Sequence, residues 1–199
     1  MVNLETKVVD SEKVIITEHS ASKDYRRFPE LYADTSVTIR ESIKSGRTDK
    51  IPPIVAFYNP FGSKDKTIEA YKKYKEAVPR EGEKSYECED EVLKQVLEQD
   101  TLLCYNGNRR LEEFQKARLP IRAFVICTQE EYNQIPEEER RIPEHLKEER
   151  PIQHRIDENF VLSYLRLLDD VIYIQAEKRH WDNFDSKKLL ADMKESRKD

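Results

Sequence analysis

Residues 104 to 110 read Cys-Tyr-Asn-Gly-Asn-Arg-Arg, within "LLCYNGNRRLEEFQ". The glycine and the paired arginines stand where an apolar strand pattern gives way to a helical one. Backbone N–H groups in the first turn of a helix have no intrahelical partner and sit at the positive end of the macrodipole, so such a turn suits an anion. Gly107 would let the backbone approach a phosphate oxygen, while Arg109 and Arg110 would supply charge-assisted hydrogen bonds. Asn106 and Asn108 flank the glycine and complete the candidate cradle. The same residues fit a second reading, in which Asn106-Gly107 is an ordinary tight turn and the arginines lie on a solvated helix face or pair with Glu112 and Glu113.

The elements that must position this turn can be read outward from it. Residues 101–105 read as a strand, 108–118 as a helix with Leu111 and Phe114 buried, and 121–127 as a strand. Upstream, 13–17 form a short strand, 36–44 a helix capped by Thr35 or Ser36 with Ile39 and Ile43 on one face, and 51–58 an apolar strand whose prolines belong at its start. Residues 61 to 99 carry two helical patterns, "DKTIEAYKKYKEAV" and "DEVLKQVLEQ"; they form an insertion if the strands on either side are neighbours. Beyond the core, "PEEERRIPEHLKEER" is charged and broken by proline, as a linker is. A final helix follows, with Val161, Leu165, Leu168 and Val171 or Ile172 on its apolar face and Arg166, Asp169 and Asp170 elsewhere on the wheel. Trp181 either packs the tail against the body, the simpler reading, or stacks on a base beside Lys178 and Arg179.

Composition bounds the function classes. The chain has 199 residues, 38% charged and 37% hydrophobic, with a formal net charge of -5. That size can bury a core, and the charge gives no general attraction for nucleic acid, although a local basic patch remains compatible with DNA. Cys88, Cys104 and Cys127 form no CxxC pair, which argues against zinc and against a disulfide framework; Cys104 and Cys127 are expected inside strands. His19, His145, His154 and His180 lack metal-binding spacing. With no apolar signal core or spanning run, the expectation is a cytoplasmic protein.

The order of these pieces resembles the N-terminal domain of the ParB/sulfiredoxin superfamily. The matching segments are Arg26-Arg27-Phe28, "IRESIKSG", "IPPIVAFY", "LLCYNGNRRLEEFQKA" and "LPIRAFVI", covering residues 13 to 127 in order with an interruption at 61 to 99. The resemblance implies an α+β (mixed α/β) fold, a small sheet flanked by helices. Residues 1–130 would form the nucleotide-binding domain with its helical insertion at about 62–99, and 131–199 a charged linker and helical C-terminal extension.

It also implies a site for ATP or CTP, with phosphates at the Gly107 helix start and Arg26 or Arg27 assisting. Reductases of this superfamily carry a cysteine after the glycine, where this chain has Asn108, so sulfinic acid repair is not expected. Its serine kinases have Asp before the glycine and His after it; here Asn106 and Asn108 stand there, and a neutral amide is no carboxylate base. By resemblance to the partition proteins, Glu158 and Asn159 are the counterparts of a Glu-Asn pair that helps to hold Mg²⁺, while Asp157 also suits a helix cap. Glu18 and Glu30 are the candidate water-activating bases. The expected function is slow nucleoside triphosphate hydrolysis. Alternatives are a metal-dependent DNA nuclease and a non-catalytic module of a plasmid or phage-type system that contacts protein or DNA, with a homodimer among the partners considered.

Overall fold

The computed structural model describes residues 4–17, 29–79, 85–139 and 158–182, with backbone alone at 29–35, 138 and 182. Five strands are present among them: β1 (Thr6–Val9), β2 (Val14–Ile15), β3 (Ile54–Phe57), β4 (Leu102–Asn106) and β5 (Ile121–Ile126). The helices are α1 (Pro29–Lys44), α2 (Lys64–Ala77), α3 (Glu89–Glu98), α4 (Asn108–Ala117), α5 (Gln129–Asn133) and α6 (Phe160–Asp182). The strands make one mixed sheet in the order β1-β5-β3-β4-β2. β3 runs parallel to β5 and antiparallel to β4, β2 joins β4 in parallel, and β1 closes the other edge antiparallel to β5. The fold is therefore mixed α+β, the class expected from the sequence.

Every residue of β3 is buried, because helices cover both faces of the sheet and a doubly covered strand reads as a continuous apolar run. On one face Val55, Phe57, Leu103, Tyr105 and Ile126 pack with α2, α3, α5 and α6. Phe57 stacks on Tyr105 with centroids 4.6 Å apart and meets the edges of Tyr132 and Phe160. On the other face Ile54, Ala56, Cys104 and Ala123 pack with Ile39 of α1 and with Leu111 and Phe114 of α4. β3 and β4 are antiparallel neighbours, so α2 and α3 belong to the connection between adjacent strands. Among the described residues no helix is long and apolar enough to cross a membrane.

Several boundaries differ from the sequence reading. Residues 11–13 form a 3-10 turn, capped by the Asp10 carboxylate accepting from the Glu12 N–H, and only Val14–Ile15 pair as strand. α1 begins at Pro29, a residue suited to the first helical position, so Ser36 lies inside the helix and is buried there. Thr128 caps α5 through a capping box with Glu131, in a stretch where no helix was expected. Cys127 lies just beyond β5 and is exposed, and Trp181 is 56% exposed with its ring against His180.

α6 departs most from the expected wheel. Val161 is partly exposed, while Leu167, Leu168, Val171, Ile172 and Ala176 are buried, because the sheet, α2, α3 and α5 surround this helix. Asp169, placed off the apolar face by the sequence, is buried too. Its carboxylate accepts from the Tyr71 hydroxyl at 2.7 Å and meets Lys75 Nζ at 3.2 Å. Burying a carboxylate is tolerated when donors of this kind replace water.

Candidate functional site

The turn after β4 is where the glycine requirement is physical. Gly107 is the N-cap of α4 with φ of 98°, in the left-handed region, and makes no side-chain cap hydrogen bond. A Cβ there would lie 2.7 Å from Ile54 Cγ2 and under 3 Å from the Arg110 guanidinium. The glycine thus serves close packing of the turn onto β3 as well as its backbone angle. Leu111 N–H donates to the Gly107 carbonyl at 2.9 Å, which begins the helix. The N–H groups of Asn108, Arg109 and Arg110 precede that first bond, and no acidic residue stands in this first turn.

Side chains of the turn divide between internal work and the surface. Asn108, 4% exposed, accepts from the Thr17 N–H at 3.0 Å, and the Thr17 hydroxyl donates to the Cys104 carbonyl. Asn108 therefore fastens the chain after β2 to β4 and α4. Arg110 donates to the Pro53 carbonyl at 2.8 Å and to both oxygens of the Glu139 carboxylate, at 2.9 and 3.3 Å. Asn106 donates to the same carboxylate at 2.8 Å and to the Glu139 carbonyl at 3.1 Å. Arg109 is half-buried beside them. An anion, the Glu139 carboxylate, already sits on Asn106 and Arg110.

A second charged group lies further along α4. Glu113, 4% exposed, meets Arg40 Nε of α1 at 3.0 Å and Lys116 Nζ at 3.1 Å. Hydrogen bonding to Glu112, together with that to Glu113, holds the Lys116 ammonium above the ordinary lysine range against the opposing effect of burial. The sequence had offered Glu112 and Glu113 as partners for the arginines of the turn; Glu113 instead holds α1 against α4.

The remaining expected site residues are not gathered here. Glu18, Arg26, Arg27 and Asp157 lie outside the described residues, as does the side chain of Glu30 in the first turn of α1. Glu158 and Asn159 lie at the opposite end of the sheet. The Glu158 carbonyl accepts from Gln129 of α5, which follows the C-terminal end of β5, whereas the turn follows the C-terminal end of the oppositely directed β4. Asn159 is occupied as a helix cap, its side-chain oxygen accepting from the Leu162 N–H at 3.0 Å. These two residues do not fit a magnesium bound with phosphates at the Gly107 turn. Among the described residues no group of three or more His, Cys, Asp and Glu side chains forms a metal cluster.

Glu139, Thr17 and the Pro53 carbonyl were missed in the sequence. Glu139 stands in a run of glutamates with nothing local to single it out. Its role arises from the chain between α5 and Glu139 crossing from one end of the sheet to the other. No family model, no curated protein and no solved structure matches this chain.

Proposed function

We propose that the chain binds a nucleoside triphosphate, ATP or CTP, through its phosphates at the N-terminus of α4. The observation that supports this is the Glu139 carboxylate bound by Arg110 and Asn106 beside three helix-start N–H groups. A phosphate offers the same donors more charge and more acceptor oxygens than a carboxylate. Its seat would be the N–H groups of residues 108–110 with Arg109, extended by Arg110 once Glu139 swings away. Two anions on one guanidinium repel, so Glu139 competes with the ligand and lowers its apparent affinity by the fraction of time that the contact is closed.

Calorimetry with ATP, CTP, GTP and UTP tests the reading. Binding of at least one nucleotide is expected, weakened at least tenfold by Arg109→Ala, a loss of about 1.5–3 kcal/mol for one charged phosphate contact. No binding to any of the four would leave Arg110–Glu139 as a structural latch and turn the search to protein and DNA partners. Slow hydrolysis is the further step that the resemblance implies, with Glu18 or Glu30 as base. Unchanged phosphate release in Glu18→Gln and Glu30→Gln would remove that step without touching the binding proposal.

A further inference from the structure

At the other end of the sheet, where β3 ends and β4 begins, lies a cleft of about 200 Å³ that the Gly107 turn does not reach. Its volume corresponds to roughly six or seven waters, room for a small molecule and short of the ~300 Å³ at which drug-sized pockets begin. One wall is the start of α2, where Ser63 caps the helix by accepting from the Lys66 N–H, and Lys64 carries a positive charge. The facing wall is the end of α3 with the connection into β4, bearing Glu98 and Asp100. Lys64 and Glu98 meet across the mouth at 2.9 Å.

Helix ends reinforce this polarity. The positive end of the α2 dipole and the negative end of the α3 dipole face each other across the cleft. The lining adds one hydroxyl donor from a largely buried side chain. Tyr164 lines the cleft and is 3% exposed, yet its hydroxyl makes no hydrogen bond among the described residues. The hydroxyl is not sealed off from the cleft, so it is placed to donate to what enters it. Burial, with Tyr58 beside it, holds this phenol well above the ordinary tyrosine range, so it remains a neutral donor. The rim is preformed, since the Asn59 side chain bonds both the Phe61 N–H and the Thr67 hydroxyl.

We propose that this cleft binds a small zwitterion of the α-amino-acid class, with its carboxylate toward Lys64 and the start of α2. Its ammonium faces Glu98 and Asp100, and the Tyr164 hydroxyl donates to the carboxylate. Lys64 and Glu98 now satisfy each other, so a ligand must part them; a lone ion would leave one of the two without its counter-charge, whereas a molecule carrying both charges at short separation replaces both partners. The site is independent of nucleotide binding at the Gly107 turn.

The test is calorimetry of the full chain against the individual α-amino acids at millimolar concentration, with N-acetyl and carboxamide derivatives of any that bind. The expected result is binding of at least one free amino acid, weakened roughly tenfold or more by blocking either charge. Tyr164→Phe should weaken it several-fold while the melting temperature is kept, because that change removes a hydroxyl with no partner. Lys64→Ala should weaken it also. The proposal is overturned if no amino acid binds, if the blocked derivatives bind as well as the parent, or if neither variant changes the affinity.

Discussion

Arg110 and Glu139, 29 residues apart in sequence, meet in a two-pronged contact whose shorter arm is 2.9 Å, with both side chains about five-sixths buried. The pair ties the start of α4 to the segment that follows α5. It also defines what a ligand at the turn must displace. In a double-mutant cycle read by urea denaturation, Arg110→Ala and Glu139→Ala should each destabilise by about 1–3 kcal/mol and couple by at least ~0.5 kcal/mol. Additive losses would show that the contact is not formed in solution.

Gly107→Ala should cost about 1–3 kcal/mol or more, since a side chain there is strained by the backbone angle and also meets Ile54 and Arg110. Gly46 provides the comparison: its φ is 70°, but nothing lies within 4 Å of an added Cβ. Gly46→Ala should show only the backbone part, about 1–2 kcal/mol. Equal losses in the two variants would mean that the turn is not packed onto β3.

Asp169 should behave as a buried carboxylate that depends on its donors. Asp169→Ala removes the acceptor that the Tyr71 hydroxyl uses at 2.7 Å and a partner of Lys75, an expected loss of about 2–4 kcal/mol. Tyr71→Phe should cost less, about 1 kcal/mol net of solvation. A thermal or urea melt distinguishes these, and a neutral Asp169→Ala would contradict the packing of α6 on α2.

Cys127 gives a pH prediction. Although the residue is exposed, partial desolvation of its thiol first, and the Glu131 carboxylate second, push it above the ordinary value of 9.0 against the lowering effect of Lys7. A raised thiol contributes stability that is fully present below the unfolded value and is lost as pH rises through the folded one, so this contribution fades only above about pH 9. Site-resolved alkylation should show a midpoint for Cys127 above that of an unfolded thiol. Glu131→Gln should lower the midpoint without restoring the ordinary value, since the partial desolvation of the thiol remains. A midpoint at or below the ordinary value would refute the assignment.

What could be read from the sequence follows a physical division. The central strands and α4 were legible because continuous apolar runs and a 3.6-residue period survive in the chain itself, as at Ile54–Phe57 and at Leu111 with Phe114. β1 was not, since Thr6–Val9 lies at an exposed sheet edge and shows no alternation. α6 was found but its buried face was misjudged, because a helix surrounded by a sheet and other helices has no single polar side. Of the site, the glycine and the helix start were readable from local spacing. The partners of Asn106, Asn108 and Arg110 were not, being Glu139, Thr17 and the Pro53 carbonyl, far away in sequence and unremarkable in type.

Amide-resolved NMR during titration with CTP and ATP tests the central claim most directly. The account predicts that the N–H signals of Asn108, Arg109 and Arg110 move together with one saturation curve, and that Glu139→Gln tightens that curve by freeing Arg110. Shifts confined to residues away from α4, or none at all at saturating nucleotide, would contradict it.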